Sequence, residues 1–324
     1  TLIGVTGGIM RAWAQVGAGD VDGAFATMDS VGAGGFDEFL VFHRAVMADV
    51  GTRREEALRL AREAYEADRF VARIAEAYIR VLGNAGRFEE AAEVLGELEA
   101  EGINHPILVD LGSAIEQQRR PGLFAANVQA GAAEMLHGLG MAMAQEGSRE
   151  LGVVFLRLAS YLDPESAIVA MTLGELLTAA ARYDEADAVY ETIPQTSPLK
   201  PTALVRLAEN LDRRDQREEA IRRLRNIAVT YPDDVEVLGV LGDTLRYDEQ
   251  WEEAADVYAR LIDRIDGNRP RDWRYFYVRG IAYERSRQWD LAEADFQRAL
   301  ELNPDQPYVL NYLGYSWVDQ GINL

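Results

Sequence analysis

Apolar and small residues return every three or four positions along most of this chain, and no stretch alternates strictly, so the pattern predicts helices and no strands. The helices are expected in pairs. Residues 273–304, WRYFYVRGIAYERSRQWDLAEADFQRALELNP, contain one complete pair. Gly280 stands three positions before Tyr283, Ala292 four before Phe296, Ala299 three after it, and Pro304 closes the unit. The small side chains at Gly280 and Ala292 are expected to let two helices approach closely, with Tyr283 and Phe296 filling the space around the contact. Pro304 stops the second helix, because its ring and missing N–H cannot continue it. A pair of this kind cannot bury its apolar face alone, so it requires stacked neighbours.

Those neighbours are present. Units beginning at Ala133, Ala167, Pro201, Val235, Trp273 and Pro307 follow one another at steps of 34, 34, 34, 38 and 34 residues. They repeat the small and large positions, as in Gly140 with Gly152, Gly174 with Ala186 and Tyr190, Ala208 with Ala220, and Gly242 with Ala254 and Tyr258. Upstream the rhythm weakens but persists. Residues 72–105 carry Tyr78, Leu82 and Ala91, residues 38–71 carry Ala45, Ala57 and Ala61, and residues 5–37 carry Ala12, Ala24 and Met28 before a glycine-rich connector at 32–35. The unit resembles the tetratricopeptide repeat, a helix–turn–helix module of about 34 residues. That resemblance implies an all-α, right-handed superhelical solenoid of antiparallel helix pairs. About eight complete repeats are expected, with one partial and one degenerate unit.

Two places break the rhythm and set the expected domains. Residues 106–132 are too short for a full unit, and read as one helix over 107–119, a loop at 120–126 around Pro121-Gly122, and the start of a long helix near Asn127. Either a repeat has lost its second helix there, or the loop, with Leu123 and Phe124 at its apolar tip, packs into the groove of the superhelix. The second break is at residues 307–324, which match a first helix with Leu310, Leu313, Gly314 and Trp317 but lead to no second one. The expected divisions are therefore degenerate repeats at 1–105, an irregular insertion at 106–132, and regular repeats at 133–324. From the unpaired last helix and the first residue, Thr1, the chain is expected to be an interior piece of a longer protein.

Composition narrows the function classes. The net charge of −21 argues against nucleic acid, whose phosphates are held by Lys and Arg. With no cysteine, disulfides and thiolate chemistry are excluded. The longest uncharged run, residues 121–133, is shorter than the roughly 18 residues a membrane helix needs. The acid pairs Glu55-Glu56, Glu89-Glu90, Glu218-Glu219 and Glu252-Glu253 fall in first turns of second helices, where the helix dipole favours negative charge. His43, His105 and His137 are far apart and lack metal-ligand spacing, and the glycine-rich runs at 4–8 and 32–35 follow no strand, so they read as linkers or helix ends. The arginines between 213 and 225 interleave with acids and read as a solvated face. No metal, cofactor or catalytic set is expected. The chain reads as not an enzyme.

The first helices of such a stack line the concave surface, where the family binds peptide segments. Clamp versions grip a carboxylate with Lys and Asn. The matching positions here hold Val205 and Glu209, Gly239 and Asp243, Tyr277 and Ile281, and Asn311 and Tyr315, so that activity is not carried over. What the groove positions offer is aromatic and mixed-charge surface: Asp243, Arg246, Tyr247, Arg274, Tyr277, Glu284, Tyr308, Asn311, Tyr312 and Tyr315. Tyr and Arg are common interface anchors. The run at 294–324 is also similar to large exported alphaproteobacterial tetratricopeptide proteins, which implies a periplasmic or envelope location. The expected function is a non-catalytic scaffold holding a protein or peptide partner in the groove. The alternative is a structural protein that associates with copies of itself.

Overall fold

The computed structural model describes residues 2–31 and 36–321. Among these there are eighteen α-helices, one short 3-10 turn (Pro270–Asp272) and no strand. Sixteen helices form eight antiparallel pairs: α1 (Leu2–Gly17) with α2 (Val21–Ser30), α3 (Asp37–Val50) with α4 (Arg54–Ala67), α5 (Ala72–Asn84) with α6 (Phe88–Ala100), α8 (Val128–Gln145) with α9 (Arg149–Leu162), α10 (Ala167–Ala179) with α11 (Tyr183–Glu191), α12 (Lys200–Arg213) with α13 (Arg217–Thr230), α14 (Val235–Tyr247) with α15 (Trp251–Ile262), and α16 (Trp273–Arg285) with α17 (Trp289–Leu302). Helices α7 (Pro106–Glu116) and α18 (Pro307–Gln320) stand without a second helix.

One contact explains why the pairs recur. A first-helix glycine receives the side chain sixteen positions on: Gly174 meets Tyr190, Gly242 meets Tyr258 and Gly280 meets Phe296. A Cβ at these glycines would lie 2.3, 2.6 and 2.7 Å from the rings. The rings are almost fully buried. Each pair is then closed by one residue in the left-handed region, at Gly147, Ala181, Asp215, Glu249 and Arg287, positions that advance with the repeat. The acid pairs sit in the first turns of α4, α6, α13 and α15.

The chain divides into two compact units, Thr1–Lys200 and Pro201–Leu324, a division that falls within the run of regular repeats. In the second unit each second helix packs on the next first helix, α13 on α14, α15 on α16, α17 on α18, as in a linear stack.

The first unit departs from a linear stack. Helix α8 packs on its own partner and also on α1 and α3, the nearer of which four intervening helices separate from it in the sequence. Two glycines on α8 make this approach feasible. Gly131 lies under Trp13 of α1, and Gly138 under Phe39 of α3, where added Cβ atoms would come within 2.1 and 2.6 Å of the rings. The resulting core joins Ile9, Ala12, Trp13, Met47, Met135 and Leu136. Glycines at residues 4–8, expected in a linker or helix end, lie within α1, with Gly8 against Val31. The run at 32–35, expected as a connector, lies outside the described residues.

Candidate functional site

In the second unit, the groove candidates lie on the first helices α14, α16 and α18. Tyr258, buried against Gly242, donates its hydroxyl to Asp243 at 2.7 Å, and Arg246 reaches the same hydroxyl at 3.3 Å. Burial, with Asp243 beside it, pushes the Tyr258 hydroxyl far above its ordinary pKa. Arg246 also stands 4.4 Å over the Tyr247 ring. Tyr277 of α16 lies among Trp273, Phe296 and Tyr312, with the Tyr312 ring edge-on at 6.1 Å. Burial raises the Tyr277 hydroxyl's pKa, with Arg246 opposing and Tyr308 adding to the rise. Tyr312 donates to Glu284 at 3.3 Å, tying α18 to α16.

These residues divide by exposure. Tyr277 and Tyr312 are partly buried and act as inter-helix packing, while Tyr247, Tyr308 and Tyr315 are about two-thirds exposed. Arg274 turns along its own helix, where it covers Tyr275 at 4.8 Å and donates to its hydroxyl. Asn311 is exposed on α18. Tyr247, Tyr308 and Tyr315 are thus open to solvent, whereas Arg246, Asp243, Tyr258 and Tyr277 are held by their neighbours.

In the first unit, the loop candidates behave differently. Phe124 is edge-on to Phe42 of α3 at 5.5 Å and lies 4.3 Å from the Arg73 guanidinium of α5. Pro121 fills the space over Gly83, and Arg80 donates to the Gly122 carbonyl at 3.2 Å. Leu123 remains 41% exposed, so Phe124 is the side chain that inserts. Helix α7 ends in the same left-handed turn as the other first helices, at Gln118, but Pro121-Gly122 follows where a second helix would start.

Beside this loop is a cluster that sequence reading passed over. Arg73 donates to both carboxylate oxygens of Glu134 on α8, at 3.0 and 2.6 Å, and also pairs with Glu76. Arg80 holds Glu76 at 2.8 Å. Burial alone would raise Glu134, but Arg73 and His137 hold it well below the usual carboxylate range. His137 in turn lies 3.0 Å from the Thr172 hydroxyl of α10. The available signal was Glu134 itself, the one charged residue in the eighteen-residue helix α8.

His43 sits at the centre of α3, fully buried among Trp13, Phe39 and Phe42, and its ring nitrogens have no hydrogen-bond partner among the described residues. Burial lowers its pKa to about 4. No group of three or more side chains among the described residues could hold a metal ion. No helix there is long and apolar enough to cross a membrane. The arginines between 213 and 225 are tied in pairs, Arg217 to Asp212, Arg222 and Arg223 to Glu219, and Arg225 to Glu253 of the next repeat.

Two models of the tetratricopeptide repeat match the sequence, over residues 205–270 and 273–306. No curated protein matches it. Among solved structures, YrrB, described as a TPR protein with an unusual peptide-binding site, is 19% identical over 56% of this chain and 91% of its own, with a TM-score of 0.41. The MamA protein from Desulfovibrio magneticus RS-1 is 19% identical over 54% of this chain and 97% of its own, at 0.43. A tetratricopeptide repeat protein from Parabacteroides merdae is 12% identical over 97% of this chain and 98% of its own, also at 0.43.

Proposed function

This chain is a tetratricopeptide repeat protein, and from that premise we propose that it is a non-catalytic scaffold holding a segment of a protein partner on the first-helix face of its second unit. One observation carries the reading. Tyr247 and Tyr308, 65% and 69% exposed, stand beside Arg246 and Tyr277, whose positions are fixed by Tyr258, Asp243 and Phe296. Exposed tyrosines on a rigid base offer large contact area at little cost in side-chain entropy, which is the usual make-up of an interface anchor. The base does not have to reorganise when a partner arrives.

The proposal leaves out the first unit, where α8 packs on α1 and α3 and Phe124 lies against Phe42 of α3 and Arg73 of α5. A place in the cell envelope belongs to the same proposal and is supported by the resemblance of residues 294–324 to exported proteins. Immobilised chain should capture a protein from the envelope fraction of its native organism. The double change Tyr247→Ala/Tyr308→Ala, at exposed positions, should weaken that capture at least tenfold without altering helicity. Capture that survives the double change unaltered places the partner elsewhere.

A further inference from the structure

Residues 120–126 join α7 to α8 without forming helix or strand, and they lie across groove positions of two first helices. Counted from the start of its repeat, Phe42 stands where Val205, Gly239, Tyr277 and Asn311 stand in the second unit. Arg80 stands where Glu209, Asp243, Ile281 and Tyr315 stand. Phe124 meets the first of these positions, its ring edge-on to Phe42, and the Gly122 carbonyl accepts from the second. One turn beyond Arg80, the buried Pro121 covers Gly83, where a Cβ would come within 2.7 Å of its ring.

The loop is held as a separate peptide would be. Among the described residues, the backbone of 120–126 makes no hydrogen bond to other backbone, so side chains of α3 and α5 supply its contacts with those helices. The seat is built without it. Arg73 is fixed by Glu134 and Glu76, and Arg80 by Glu76, two carboxylates that are themselves buried.

We propose that residues 121–124 are an exchangeable plug, a built-in ligand of the first unit, whose place is taken by a partner segment with proline three residues before an aromatic one. Gly122 and Leu123, the two residues between, are exposed, so their places tolerate other side chains. Acidic ones are disfavoured by Glu76 and Glu134, and basic ones by Arg73 and Arg80. A tethered plug acts at an effective concentration on the order of millimolar, so a free segment competes poorly until the plug is weakened. This site owes nothing to the tyrosines of the second unit.

Phe124→Ala weakens the plug and leaves the seat. An acetylated, fluorescently labelled peptide of residues 121–127, PGLFAAN, should bind that variant at least about tenfold more tightly than the wild-type chain, read by anisotropy with helicity unchanged. Alanine in place of the peptide's proline or phenylalanine should remove most of that binding. Tyr247→Ala/Tyr308→Ala should leave it unaltered, which separates this site from the second unit's face. In the wild-type chain, chymotryptic cleavage after Phe124, followed by mass spectrometry, should be nearly independent of urea below the unfolding transition, because local opening exposes little surface. Peptide binding that is equal in variant and wild type, or absent from both, overturns the proposal. So does binding indifferent to the peptide's phenylalanine, or cleavage after Phe124 that rises with urea as global unfolding does.

Discussion

At Gly174, Gly242 and Gly280 the absence of a Cβ is what seats Tyr190, Tyr258 and Phe296. Gly280→Ala should therefore cost about 1–3 kcal/mol by overpacking, measurable in urea unfolding, because the Phe296 ring is enclosed and cannot swing away. Gly314, with open space around it, should accept alanine with no loss. His43 makes a second residue-scale prediction. Its folded pKa of about 4 lies below the ordinary 6.5, so the unfolded chain binds the extra proton first. The stability it contributes is whole above about pH 6.5 and is lost as pH falls toward 4, by about 3 kcal/mol. His43→Phe should flatten that part of the stability profile between pH 7 and 4, and an unchanged slope would assign the acid sensitivity to other groups. The glycine contacts were legible in the sequence because they recur with the repeat. The environment of His43 was not, since Trp13, Phe39 and Phe42 reach it from separate turns and helices.

Among the elements, α8 is the exception in an otherwise local fold. Most helices bury one face against the next in sequence, but α8 lies on α1 and α3 as well and carries Glu134 to Arg73 on α5. A buried ion pair gains little over apolar groups, but removing one partner strands the other. Arg73→Ala should thus destabilise by about 3–5 kcal/mol, while Arg73→Met with Glu134→Leu should recover most of it. Equal loss in the single and double variants would mean that the pair is not coupled. The helix itself was foreseen, with Asn127 as the residue that starts it, and Asn127 caps it by accepting from the Ala130 amide. Its second set of partners was not. Gly131 and Gly138 are seven apart, and only the approach of Trp13 and Phe39 distinguishes them from any other small residues in a repeat.

For the whole molecule, repeat architecture confines the effect of a change to its neighbours. Arg73→Ala should raise amide exchange through Thr1–Lys200 and leave the second unit, Pro201–Leu324, at its wild-type rates. A loss of protection in both would show that they unfold together. By itself the sequence determined the helical class, the pairing, the 34-residue step and the terminating turns, because each follows from contacts between residues within one or two repeats. It also placed the tyrosines and arginines of the second unit's face on successive first helices. Only the tertiary structure decided which of them are free and which are packing, that Arg246 is held by Tyr258, that Phe124 rather than Leu123 inserts, and that α8 returns to α1. Those depend on which distant surfaces meet, and periodicity along the chain carries no record of that.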